Sequence, residues 1–144
     1  MTVSPSLTFN DGNEIPQLGY GVWQVENETA EKVVGLALDA GYRHIDTAKI
    51  YGNEEGTGTA IANSGVPRED VFLTTKVWND EQGFEAAKAA AEASLKRLGT
   101  DYVDLLLIHW AKPSQGLYVD TWKALIELQK EGKTRSIGVS NFPE

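Results

Sequence analysis

The sequence contains no cysteine, which excludes a disulfide framework, a thiolate metal site and a cysteine nucleophile. It has only two histidines, too few for a multi-histidine zinc centre, and no metal ligand set is expected. Basic residues are outnumbered, 13 against 21 acidic, for a net charge of -8. The densest basic stretch, residues 130–135, is itself diluted by Glu131. A nucleic-acid surface needs a positive face that releases phosphate counterions, so that class of partner is disfavoured. Long hydrophobic runs are missing too. The longest, residues 103–110, contains Asp104 and His109 and falls far short of the roughly 20 apolar residues that span a bilayer. The first five residues carry neither a basic nor an apolar targeting region. No membrane partner is expected, and the cytoplasm is the expected compartment. Gly19-Tyr20-Gly21 and Gly56-Thr57-Gly58 each stop short of G-x-G-x-x-G, and no Walker A sequence is present.

What is there reads as one globular domain over residues 1–144, with ordinary shares of hydrophobic (41%) and charged (24%) residues. Asp11-Gly12-Asn13 separates two short extended segments, a hairpin signal. The chain then repeats a short apolar run followed by a helical stripe. The runs are residues 18–23, 43–48, 71–78 and 103–110, and a fifth begins at Ser136. The helices are expected near 29–40, 53–64, 83–98 and 119–131, with Phe84, Trp122 and Ile126 among their buried positions. Gly41, Gly65 and Gly132 supply stops. Gly56 and Gly58 weaken the second helix on propensity grounds.

Strand–helix alternation at this spacing means a parallel sheet with right-handed crossovers, either an open doubly wound sheet or a barrel. The polar residues favour the barrel. Asp46, Lys76 and His109 each close a different run, and Ser140-Asn141 close the fifth. Barrel enzymes collect their chemistry at those strand ends. A hairpin plus about four and a half β/α units is the expectation, an incomplete α/β barrel of the (β/α)8 TIM type.

An acid (Asp46), a phenol (Tyr51), an amine (Lys76) and an imidazole (His109) at one mouth make a proton-transfer set. A phenol holds its proton until about pH 10, and a close ammonium eases its release. A buried ammonium needs an anion, which Asp46 can supply. Each residue alone has a plainer explanation: Tyr51 as a turn residue, Lys76 as a snorkelling cation, His109 as a core histidine, Asp46 as a turn device. His44 reads as structural.

In order, the motifs resemble the aldo-keto reductase family. Gly41-Tyr42-Arg43-His44-Ile45-Asp46-Thr47-Ala48-Lys49-Ile50-Tyr51-Gly52-Asn53-Glu54 is similar to its signature. Thr74-Thr75-Lys76-Val77-Trp78 is similar to its lysine strand, and Val103-Asp104-Leu105-Leu106-Leu107-Ile108-His109-Trp110 to its histidine strand. Ile137-Gly138-Val139-Ser140-Asn141-Phe142 is similar to the start of its cofactor-amide strand. The likeness covers about residues 7–142 and is strongest to bacterial members such as 2,5-diketogluconate reductases.

The resemblance implies reduction of small aldehydes or ketones with NADPH, leaving NADP. Tyr51 would donate the proton, Lys76 paired with Asp46 would assist it, and His109 would orient the carbonyl. Asp46, Ser140 and Asn141 would hold the nicotinamide end of the cofactor. Trp23, Trp78 and Trp110 would wall the pocket with Tyr51 and His109. Trp110-Ala111, where the family commonly has proline, and Lys49 near Tyr51 are departures that bear on substrate choice. Family members run to about twice this length, so the chain is expected to be the N-terminal portion. Alone it is expected to self-associate without oxidising NADPH, as a silent half-barrel or interaction module, while the longer form is expected to be monomeric. A non-enzymatic, cofactor-binding subunit is the remote alternative.

Overall fold

Asp11 and Gly12 turn the chain back on itself between β1 (Ser6–Thr8) and β2 (Glu14–Pro16), which pair antiparallel with Leu7 opposite Ile15. Gly12 sits at φ +88°, where a side chain would be strained, and Asn13 N–H donates to Asp11 Oδ1 at 2.9 Å. The computed structural model describes residues 4–144, so the first three residues of the stretch inspected for a targeting signal lie outside it.

Five parallel strands follow: β3 (Tyr20–Gly21), β4 (His44–Asp46), β5 (Phe72–Val77), β6 (Val103–Ile108) and β7 (Thr134–Val139). The helices α1 (Asn27–Asp39), α2 (Glu54–Asn63), α3 (Phe84–Leu98) and α4 (Tyr118–Lys130) connect them. The strands lie side by side in chain order. A doubly wound sheet reverses its order at a switch point, and none of these strands does. The sheet is therefore an arc of a barrel. No helix among the described residues is long and apolar enough to cross a membrane.

Alternation along the strands sorts the side chains between the two faces of the arc. Leu73, Leu106, Ile108, Leu125 and Leu128 belong to one buried cluster that joins sheet and helices. Lys76 lies opposite Leu107, which lies opposite Gly138, so these share the other face. The hairpin reaches the lower end of β7, where Asn13 Nδ2 donates to Ser136 Oγ at 3.0 Å and Arg135 O at 3.2 Å. The Ser136 hydroxyl also holds the Asp11 carboxyl below its ordinary range, helped by the Asn13 backbone.

Several expectations need correction. The first run pairs as a strand only at Tyr20–Gly21, because the chain turns out of the sheet immediately afterwards. Phe84 opens α3 on its exposed side, and Ile126 is exposed as well; Trp122 is only partly buried. Helix α4 instead buries Thr121, Ala124, Leu125 and Leu128. Helix α2 forms in full despite its glycines. A Cβ on Gly56 would collide with the backbone carbonyl of Asn27, and one on Gly58 with that of Leu98. These glycines admit close approach of neighbouring segments, an advantage that outweighs their propensity cost.

Candidate active site

Asp46 ends β4, Lys76 is the penultimate residue of β5, and His109 directly follows β6. Tyr51 closes a single 3-10 turn, Lys49–Tyr51, just beyond β4. All four stand at the C-terminal edge of the sheet, where in-register parallel strands bring successive strand ends together.

The Lys76 ammonium is buried, and each of its protons has an acceptor. Nζ donates to Asp46 Oδ1, to Thr47 O at 3.0 Å and to Tyr51 Oη at 3.5 Å. It also lies 5.1 Å from the Tyr51 ring centroid. A buried cation is costly unless paired and hydrogen-bonded, and both conditions hold here. The His109 ring meets Tyr51 edge to face at 5.8 Å and Trp78 at 5.1 Å. Its Nδ1 is buried with no hydrogen-bond partner among the described residues. Burial, and then the nearby Lys76 charge, lower its pKa, so the ring stands as a neutral imidazole at pH 7.

A cleft of about 510 Å³ opens over this cluster, lined by Trp23, Gln24, Ile50, Tyr51, Trp78, His109 and Trp110. The three expected tryptophans thus share the mouth. Trp78 is partly buried, but Trp23 is 68% exposed and Trp110 44%, so these two do not by themselves shut out water. Trp110 is steadied by Gln82, whose Nε2 donates to its carbonyl at 2.7 Å. Lys49 turns away from the cleft toward Asp80 at 3.1 Å and Glu81 at 3.6 Å, tying the Tyr51 turn to the segment after β5.

Ser140 and Asn141 follow β7. Asn141 Nδ2 donates to His109 O at 3.0 Å and to Ser140 Oγ at 2.9 Å. The Ser140 hydroxyl proton is then free to donate, and Asn141 Oδ1 has no partner among the described residues. One donor and one acceptor side by side suit a primary carboxamide, so the residues present fit the amide end of a nicotinamide.

Comparison with known proteins supplies the family. The model of the Aldo/keto reductase family matches residues 17–143. The chain belongs to that family. An aldo-keto reductase of Mycolicibacterium smegmatis is 61% identical over 140 residues, covering 97% of this chain and 51% of that protein. The crystal structure of an aldo/keto reductase from Brucella melitensis superposes with a TM-score of 0.97 at 60% identity, covering 99% of this chain and 55% of that one. A Bombyx mori aldo-keto reductase, solved in complex with NADP, gives 0.89 at 40% identity, covering 99% and 52%. This aldo-keto reductase chain spans about half the length of the curated relatives it matches.

His44 takes no part in the cluster. Its Nε2 lies 3.0 Å from Thr74 Oγ1, its ring meets Phe72 at 5.1 Å, and Gly19 packs against it. Burial lowers its pKa from 6.5, with Asp46 opposing and Lys76 reinforcing the effect. Both histidines are therefore harder to protonate folded than unfolded. Below about pH 6.5 the unfolded chain binds more protons, so their contribution to stability is full above that value and declines as pH falls through it. Urea unfolding at about pH 7.5 and about pH 5 should show a lower midpoint in acid, and His44→Gln should shrink the difference while leaving the His109 share. An unchanged difference would refute the assignment to His44.

Proposed function

We propose that the protein reduces an aldehyde or ketone to the alcohol with NADPH. Residues 1–144 form one domain in this reading, the N-terminal portion of an aldo-keto reductase barrel. The observation that carries it is the Lys76 ammonium wedged between Asp46, Thr47 O and Tyr51 Oη, with Tyr51 and His109 lining an aromatic cleft.

Tyr51 donates its hydroxyl proton to the carbonyl oxygen as that oxygen gains negative charge. Lys76 faces the resulting phenolate with a fixed positive charge, and Asp46 keeps that charge in place. The neutral His109 ring carries one N–H, which orients and polarises the carbonyl. Ser140 and Asn141 would hold a nicotinamide carboxamide, and Asp46 would face the same end of the cofactor. A bound reduced nicotinamide supplies the hydride. The Bombyx mori relative solved with NADP supports this choice of cofactor. Trp23, Trp78 and Trp110 give an apolar, π-rich wall, suited to uncharged aromatic carbonyl substrates. The test is stoichiometry in a polypeptide that completes the barrel, since residues 1–144 alone are expected to be silent: one NADPH consumed for each alcohol formed from an aromatic aldehyde. No consumption across a panel of aldehydes and ketones would sink the proposal.

A further inference from the structure

Asn53 is completely buried, yet neither the proton-transfer set nor the cleft wall includes it. Its amide is nonetheless fully occupied. Nδ2 donates to Val22 O and to Val25 O, both at 2.8 Å, and Oδ1 accepts from Thr47 Oγ1 at 2.7 Å. Those two carbonyls bracket a tight turn closed by Val25 N–H to Val22 O at 3.1 Å. Inside the turn stand Trp23 and Gln24, both lining the cleft. Gln24 holds φ at +63°, a left-handed conformation that a non-glycine residue keeps only where its surroundings impose it. Asn53 is the group that grips the turn on both sides of that residue. On its other side it holds Thr47, whose carbonyl accepts from Lys76.

We propose that Asn53 is a positioning residue that fixes where Trp23 stands at the cleft mouth, and so sets the fit of bulky carbonyl substrates. The proposal rests on the reductase reading for its kinetic consequence, but not for its structural one. The amide NH2 bridges two carbonyls of a strained turn, and no carboxylate can do the same. Asn53→Asp keeps the side-chain shape and the acceptor for Thr47 while turning an oxygen toward the carbonyls of Val22 and Val25. The turn is then released while Lys76 and Tyr51 stay in place.

The test has an exchange arm and a kinetic arm. In Asn53→Asp, the Val25 amide should exchange hydrogen faster, with the change confined to residues 22–25. KM for 2-naphthaldehyde should rise about tenfold, with KM for propanal and kcat for both substrates within about twofold of the parent. Adding Gln24→Gly, which adopts positive φ without strain, should restore protection and lower KM part of the way. Unchanged Val25 exchange, or acceleration as large in α3 as in the turn, overturns the proposal. If Asn53→Asp does not fold, Thr47→Val should loosen the same turn to a smaller degree by freeing Oδ1, and an unaffected turn there is equally fatal. If no carbonyl is turned over, the loss falls on the reductase reading, and the exchange arm alone decides the role of Asn53.

Discussion

Tyr51→Phe is expected to lower kcat by about a thousandfold in any preparation that reduces an aromatic aldehyde at the expense of NADPH, the scale set by loss of a positioned general acid. The substitution removes one oxygen and leaves the ring between Lys76 and His109. Packing should survive, so KM should change little and the unfolding midpoint should hold. Lys76 Nζ loses only its longest contact, at 3.5 Å, and keeps Asp46 and Thr47 O. A loss in kcat with intact stability would separate chemistry from structure. Retained turnover would show that the proton reaches the carbonyl oxygen from another group.

The largest expected effect on stability lies behind the sheet. Glu54 is 2% exposed, accepting from Thr75 Oγ1 at 2.6 Å and from Arg97 Nε at 2.7 Å. These bonds join α2, β5 and α3 through one carboxylate. Arg97→Met should cost about 3 kcal/mol, because it strands a buried charge rather than merely deleting a contact. Combining it with Glu54→Gln should recover a good part of that cost, since a neutral amide still accepts from Thr75. Urea midpoints of the single and double variants measure the difference. If Arg97→Met is nearly neutral, the carboxylate is reaching water or changing partner.

The barrel and its four central groups were legible because both depend on short-range patterns. Three of the runs carry one conspicuous polar residue near their ends, and parallel strands in register bring Asp46, Lys76 and His109 to one edge. What could not be read depends on backbone atoms and distant turns. Thr47 acts on Lys76 through its carbonyl, which no side-chain motif advertises. Asn53 resembled a helix-start residue because its partners, the carbonyls of Val22 and Val25, lie some thirty positions earlier. Gln24, Ile50 and Gln82 join or steady the cleft without a motif of their own. Lys49 looked like a charge beside the pocket, and only its ion pairs show that it faces elsewhere. The exposed faces of α3 and α4 misled for another reason: an apolar stripe does not say how much of it the sheet will cover.

The attachment of Asn13 to Ser136 and Arg135 joins the β1–β2 hairpin to a strand more than 120 positions later. During translation these two bonds cannot form until β7 leaves the ribosome, although Phe9 can already pack edge to face on Phe72 of β5, at 6.2 Å between ring centroids. The intervening helices and strands can form their local contacts first, and the bonds from the hairpin to β7 follow. Substitutions at Asn13 should therefore act mainly on unfolding rates, leaving the early steps of folding untouched.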